Sequence, residues 1–347
     1  MTSYNNMPPN IALMRMITSY RVSQVLYVTA KLGLADLLKD GPKRSEELAQ
    51  VTGSFQPALD RFLPALVSLG ILAQDAQDRY ELTSSGAYFQ SDHPLSVHAY
   101  TLFIAGEIEW QTWGKLEHSL LTGDSAFKQT FGMNLFEYYS QHPEDGDIFD
   151  KAMGATSENI SRDILEAYDF SQYKKVVDVG GGNGSLLVSL LKANPSLQGV
   201  LFDLPQVTSR ATKLLEKAAV KDRCEVIGGD FFKQVPGGGD VYIFKLILHD
   251  WDDEKATDIL KSCYQAMGGK ARLVVVEQLQ PDRVEISEFH QTLITRDLNM
   301  LALFGGGRER NKTEFEQLFE RAGFDLVQVI PLSSQFNIIE AIKTTIV

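Results

Sequence analysis

Cysteine is scarce in this 347-residue chain: there are two, Cys224 and Cys263. They stand far apart, in no Cys-x-x-Cys pair and no His/Cys cluster, which argues against a disulfide framework and a thiolate zinc site. Long apolar runs are missing too. None approaches the roughly 20 residues that cross a bilayer, so no membrane span is expected. Positive charge is short: 33 Lys and Arg face 45 Asp and Glu, a formal net charge of −12. Such a chain is repelled by nucleic-acid phosphates and by anionic lipid surfaces, so neither is expected as a partner. Met1 to Asn10 is polar, holds two prolines and does not resemble a signal peptide, which makes a cytoplasmic protein the default expectation. What is present, 44% hydrophobic and 22% charged residues, is the composition of a globular protein long enough for two domains.

The two halves differ in pattern. Ile11 to Val28 has the spacing of one apolar-rich helix, and Ala30 to Leu38 continues it. Ser45 is placed to N-cap a short helix, and Gln56 to Leu69 form another that Gly70 stops. Ile71–Ala73 and Arg79–Leu82 suit a small β-wing around Asp75 to Asp78, completing a winged helix-turn-helix pattern. Between Lys31 and Gln90, however, six basic residues face eight acidic ones, and the would-be recognition helix offers only Asp60 and Arg61 among apolar residues. A groove-reading helix needs cationic and amide side chains. A module that packs its apolar surface on another subunit is the better account. Leu95 to Tyr168 is a helical stretch rich in aromatics, most of them core and a minority suited to lining an apolar pocket.

From Tyr173 strands and helices alternate. Strands are expected at Lys175–Val179, Gly199–Phe202, Cys224–Gly228, Val241–Ile247, Arg272–Gln278, Asp325–Pro331 and Asn337–Lys343. Helices such as Gln206–Lys217, Asp253–Met267 and Lys312–Ala322 intervene. The fold class is α/β, a doubly wound, mainly parallel Rossmann-like sheet with an antiparallel C-terminal hairpin, plus the N-terminal mainly helical winged module. The expected divisions are 1–100, a connector at 101–170, and 171–347.

The most informative stretch is Val176-Val177-Asp178-Val179-Gly180-Gly181-Gly182-Asn183-Gly184. It reads as a buried strand, a glycine-rich turn, and a helix from Ser185 to Ala193. Glycine lets backbone approach a ligand closely, and open α/β sheets bind ligands at the carboxyl ends of their strands. Asp203, ending the next strand, stands where an acid meets a ribose hydroxyl pair. The arrangement fits a dinucleotide or S-adenosylmethionine. The packed GGGNG departs from the dinucleotide spacing G-x-G-x-x-G and favours the latter.

Asp230 and Phe231 follow the third strand; the acid can accept from an adenine amino group beside a flat ring, or simply cap its loop. His249 ends the fourth strand and titrates near neutrality, so it can take a proton. Glu277 ends Val274-Val275-Val276, where an acid is not there for packing. Glu309, after Gly305-Gly306-Gly307-Arg308, is a third candidate or a surface charge in a turn. A carboxylate beside an imidazole raises its basicity and fixes its tautomer.

Taken in order, VVDVGGGNG, GVLFDLPQV, GGDFF, LHDWDDE, VVVEQ and GGRERNKTEFEQLFERAGF resemble the S-adenosylmethionine-dependent O-methyltransferases of the plant caffeate/flavonoid type and their bacterial natural-product relatives. The resemblance spans nearly the whole chain. It implies that the N-terminal half is a dimerisation domain, making a homodimer, and that a small aromatic hydroxyl compound is methylated without a metal, releasing S-adenosylhomocysteine. Asp178, Gly180 and Gly182 would then shape the methionine end of the cofactor site, Leu204 would lie beside the adenine, and Lys245 would contact the cofactor. His249 would be the general base, with Glu277 and Glu309 flanking it. Phe149, Met153, Asn299, Met300 and Phe304 match positions lining the acceptor pocket; plant relatives often have a polar residue where Phe304 stands. N-methylation, or hydroxylation or a pericyclic step on the same fold, is the alternative expectation.

Overall fold

A computed structural model describes residues 7–344, apart from the side chains at 155, 156, 158, 159 and 210. The reading of Met1 to Asn10 thus falls mostly outside the described residues. Cα packing divides the chain into two compact units: Met1–Trp110 with Asp147–Ala155, and Gln111–Gly146 with Thr156–Val347. Residues 101–170 are shared between these units.

The first unit begins with α1 (Pro9–Thr18) and α2 (Tyr20–Lys31), where a single helix was expected. The break has a local cause: Thr18 Oγ1 donates to Met14 O at 2.9 Å and Ser19 Oγ to Met16 O at 2.7 Å. Side chains that bond back to the preceding turn compete with the helical ladder. Next come α3 (Leu34–Leu38), α4 (Ser45–Thr52) and α5 (Gln56–Ser68). Ser45 is the first residue of α4 rather than its cap; Arg44 holds that place, and Glu47 Oε2 accepts its N–H at 2.7 Å. The wing is β1 (Leu72–Gln74) paired antiparallel with β2 (Tyr80–Leu82). Leu34, Leu48, Leu63 and Leu66, all fully buried, centre this unit's core. Then α6 (His98–Ile104) leads to α7 (Glu107–Trp113), which crosses the division between the units; α8 (Leu116–Thr122), α9 (Ala126–Phe131) and α10 (Leu135–Gln141) belong to the second unit, and the 25-residue α11 (Pro143–Ala167) is divided between the two.

The second unit is built on β3 (Lys175–Val179), α12 (Ser185–Ala193), β4 (Gln198–Asp203), α13 (Pro205–Lys217), β5 (Cys224–Gly228), β6 (Val241–Lys245), α14 (Asp253–Ala266), β7 (Arg272–Glu277), α15 (Glu288–Phe304), α16 (Lys312–Ala322), β8 (Phe324–Pro331) and β9 (Asn337–Lys343). The sheet order is β5-β4-β3-β6-β7-β9-β8. The first five strands in that order run parallel, and β9 pairs antiparallel with both β7 and β8. Strands buried on both faces need continuous apolar sequence, and Val176, Val177, Val179, Val274, Val275 and Val276 supply it. The winding reverses at β3, which is flanked by β4 and β6, so the crevice for a ligand opens at their carboxyl ends. Asp178 and Asp203 stand at that edge, with Lys245 and Glu277 on the next two strands.

The strand expected to run to Ile247 stops at Lys245. Leu246 has a φ of +58°, outside the extended region, and the next two N–H groups turn to the Glu277 carboxylate. Among the described residues no helix is long and apolar enough to cross a membrane.

Candidate active site

The turn after β3 is closed against the sheet and open on its other side. Gly180, Gly182 and Gly184 have φ of +72°, +58° and +82°. Gly180 N–H donates to Phe202 O at 2.8 Å, and Gly182 N–H donates to Asp203 Oδ2 at 2.8 Å. A Cβ at Gly181 would come 2.7 Å from the Asp178 carboxyl, whereas one at Gly182 would meet nothing within 4 Å. Side chains are thus shut out on the sheet side while space remains at Gly182.

Asp178 is buried, and its Oδ2 has no hydrogen-bond partner among the described residues. Burial pushes its carboxyl up to about 7, with the Lys245 ammonium opposing. Lys245 donates to Ser157 Oγ at 2.7 Å, and burial lowers its own pKa. A buried acid with one oxygen unbonded and a desolvated amine at the ends of adjacent strands suit a ligand that itself carries both charges. Asp203 Oδ1 accepts from Leu204 N–H at 2.7 Å, so this side chain ties β4 to the glycine turn. Asp230 caps its own loop, Oδ1 accepting from Phe232 N–H at 3.0 Å, and Lys233 lies 3.2 Å from Oδ2. Phe231 stands edge-on to Trp251, ring centroids 6.2 Å apart.

His249 sits in a short 3-10 turn, Leu248–Asp250, just past β6. Its Nδ1 lies 2.9 Å from Glu309 Oε1 and 3.4 Å from Glu277 Oε2, while Nε2 lies 3.4 Å from Asp250 Oδ1. The two expected glutamates therefore converge on one nitrogen. Glu277 also holds the turn, since its Oε1 accepts from Ile247 N–H at 3.0 Å and from Leu248 N–H at 2.9 Å. Arg296 Nε stands 3.2 Å from Glu309 Oε1, and Asp297 Oδ1 accepts the Glu309 N–H at 2.7 Å.

Burial disfavours charge on His249, but Glu277, Glu309 and Asp250 outweigh it and raise the imidazole to about 9. Burial likewise raises Asp250 to about 7 and raises Glu277. Burial acts on Glu309 in the same sense, yet His249 and Arg296 prevail and hold it below the usual carboxylate value. Donor atoms of His249, Glu277 and Glu309 all lie within 4.8 Å of one another. Arg296 already brings positive charge to that cluster, which is arranged to hold and move a proton.

The expected acceptor-lining residues are divided. Phe149 and Met153 lie on α11 within the first unit, where Phe149 packs edge-on against Phe103, centroids 5.4 Å apart. Asn299, Met300 and Phe304 share α15 in the second unit. Asn299 Oδ1 accepts from the Trp113 indole N–H at 2.7 Å, and Phe304 packs at 5.7 Å on Phe136. Sequence reasoning passed over Asp250, Arg296 and Ser157, and left Trp113 unsorted among the aromatics of the helical stretch. Asp250 adjoins the candidate base, so its position was a usable signal; Arg296 and Ser157 are brought in from distant segments.

Residues 113–325 match the O-methyltransferase domain and residues 14–92 the O-methyltransferase dimerisation domain. The phenazine O-methyltransferase PhzM of Lysobacter antibioticus is 41% identical over 334 residues, 96% of each chain. The 8-amino-8-demethylriboflavin N,N-dimethyltransferase of Streptomyces davaonensis is 36% identical over 92% of this chain and 91% of its own. Among solved structures, LaPhzM superposes with a TM-score of 0.92 at 40% identity, covering 97% of this chain and 100% of that one. NcsB1, from neocarzinostatin biosynthesis and solved with S-adenosylmethionine and 2-hydroxy-5-methyl naphthoic acid, gives a TM-score of 0.80 at 30% identity, covering 95% and 98%.

Proposed function

The chain belongs to the S-adenosylmethionine-dependent O-methyltransferases, and from that premise we propose that it methylates a hydroxyl of a small aromatic, natural-product-type compound with His249 as general base. The observation that carries this reading is the buried imidazole with Nδ1 held by Glu309 at 2.9 Å beside the ligand edge of the sheet. With Nδ1 so engaged, Nε2, which faces Asp250 Oδ1 at 3.4 Å, is the nitrogen that would take the acceptor's proton. S-adenosylmethionine, when bound, supplies a methyl group on a positively charged sulfur.

The protein's own work is alignment and proton removal. The glycine turn, Asp178 and Lys245 would hold the amino-acid end of the cofactor, and Asp203 its ribose hydroxyls. Asp230, Phe231 and Leu204 would hold the adenine. Holding oxygen, methyl carbon and sulfur in line is a proximity effect, worth several kcal/mol of barrier. A phenol with a pKa near ~10 is mostly protonated at neutral pH, and a positioned base contributes on the order of 10²–10⁴-fold. On α15, Met300 and Phe304 would offer apolar surface to a flat ring, and Asn299 a polar contact. No step calls for a metal, so turnover in EDTA is expected to equal turnover without it.

The dimerisation match supports a homodimer. Leu13, Met14 and Ile17 on α1 are 59%, 62% and 72% exposed, an apolar face of the kind a second subunit covers.

The test is to incubate the protein with S-adenosylmethionine and pooled phenols, catechols and polycyclic hydroxyaromatics, with His249→Ala alongside. S-adenosylhomocysteine is read by mass spectrometry. Acceptor-dependent product that disappears in the variant is expected. Equal turnover in His249→Ala would remove the base role, and product only from aromatic amines would shift the reading to N-methylation, the chemistry of the riboflavin-type relative.

A further inference from the structure

Arg310 has the largest fully buried side chain among the described residues, 1% exposed. A buried guanidinium is costly unless its N–H groups find acceptors. Its acceptors bracket the catalytic histidine. Nη1 donates to Leu248 O at 2.9 Å, Nη2 to Trp251 O at 2.8 Å, and Nε to Asp253 Oδ1 at 2.8 Å. Between these, Arg308 N–H donates to His249 O at 2.8 Å. The two segments also pack as closely as glycine permits: a Cβ at Gly307 would stand 2.8 Å from His249 O and 3.1 Å from Asp250 O. Residues 307–310 therefore splint the His249 turn at three carbonyls, and the same segment carries Glu309, the partner of Nδ1.

We propose that Arg310 is a positioning residue for methyl transfer, fixing the Leu248–Trp251 turn at the separation from Glu309 at which His249 Nδ1 is hydrogen-bonded and Nε2 is presented to the acceptor. The inference rests on the reading of His249 as base. Arginine suits this position because its planar fork reaches several acceptors at set angles, whereas the single ammonium of lysine cannot span carbonyls on both sides of the turn. The groups that face the imidazole are Glu309 on the splint, Glu277 at the end of β7, Asp250 beside it, and Arg296 on α15 through Glu309. Arg310 itself touches the turn's backbone, so its substitution acts on the ring through geometry.

The experiment compares wild type with Arg310→Lys and with Asp253→Ala, which removes one anchor of the guanidinium from a half-exposed position. Turnover, S-adenosylmethionine affinity and thermal midpoint are measured, and the His249 imidazole is titrated by NMR in histidine-labelled full-length protein. Arg310→Lys is expected to lower kcat on the order of 10–100-fold, the scale of a misplacement of about 1 Å. Cofactor Kd should stay within about twofold, and the imidazole pKa should fall toward its ordinary value as the Glu309 bond loosens. Asp253→Ala should show the same pattern, weaker, with a modestly lowered thermal midpoint, because the buried guanidinium exchanges its carboxylate acceptor for water. Unaltered kcat in Arg310→Lys would overturn the proposal. So would parallel losses of stability and cofactor affinity with an unmoved imidazole titration, the pattern of a purely structural role. If Arg310→Lys does not fold, an unchanged kcat and titration in Asp253→Ala would overturn it instead. The titration needs no turnover, so it judges the splint even where His249→Ala retains activity and the base reading fails.

Discussion

Glu309 Oε1 lies 2.9 Å from His249 Nδ1 although the two residues are 60 positions apart. Both are buried, and burial alone would favour their neutral forms. Neighbouring charge reverses that for each: Glu277, Glu309 and Asp250 raise the imidazole to about 9, and His249 with Arg296 holds the Glu309 carboxyl low. The pair is thus charged at neutral pH in the free enzyme. The imidazole gains basicity, but it must shed a proton before it can accept one.

That has a consequence for the pH profile. kcat/KM reports the free enzyme's ionisations. The competent, neutral imidazole accumulates only as pH rises through about 9. Log kcat/KM is therefore expected to climb from about pH 6 with a slope near one and to level above about pH 9. Glu309→Gln removes one of the carboxylates that raise the ring, so its bend should move to lower pH while its plateau falls. A wild-type profile that is flat across this range would contradict the assignment.

Asp203 closes the glycine turn through Gly182 N–H and also stands where the ribose is to be held. Asp203→Ala should therefore weaken S-adenosylmethionine binding by at least tenfold, since charge-assisted hydrogen bonds contribute about 1.5–3 kcal/mol each. Turnover at saturating cofactor should change far less. Calorimetric titration of the cofactor checks this, and an unchanged Kd would count against the ribose role.

The helix α1 has no buried residue, so its apolar side chains contribute nothing to the core of the described chain. Leu13→Asp with Ile17→Asp should leave the far-ultraviolet circular dichroism intact while shifting the molar mass measured by light scattering from dimer to monomer. A dimer that survives both substitutions would show that another face joins the subunits.

The central strands of the second unit were legible because they are buried on both faces. The valine runs of β3 and β7 end where turn chemistry begins, and the bounds of β3 follow from that. Helix α15 was not, since its apolar and polar residues alternate without a clean stripe. Its ends did carry signals, Ser287 accepting the His290 N–H at 3.0 Å and Gly305 at a φ of +72°. The break at Ser19 was hidden because apolar periodicity runs through it, and only side-chain bonds to the preceding turn reveal it. At the site, His249, Glu277 and Glu309 stood out as polar residues at strand ends or beside a glycine run. Arg310 did not, because in Gly-Gly-Arg-Glu-Arg a second arginine reads as solvated charge. Its burial depends on carbonyls that only the folded turn brings within reach.

If Asp178 holds the cofactor as proposed, it couples binding to stability with a definite sign. Its folded pKa of about 7 lies above the ordinary aspartate value of 3.8. A carboxyl raised in this way favours the folded state fully only below the unfolded value, and that contribution is lost as pH rises through the folded one. Above about pH 7 the buried charge costs on the order of 4 kcal/mol in the free enzyme. Asp178→Asn keeps the shape and removes the charge. The ligand-free variant should melt higher than wild type, by more at about pH 8 than at about pH 5. In exchange it loses the carboxylate that an ammonium-bearing ligand would neutralise, so added S-adenosylmethionine should raise its melting temperature much less than it raises that of wild type. Thermal melts at the two pH values, with and without cofactor, give all four comparisons. A variant less stable than wild type at pH 8 would show that Asp178 serves the fold, and not the ligand, with its charge.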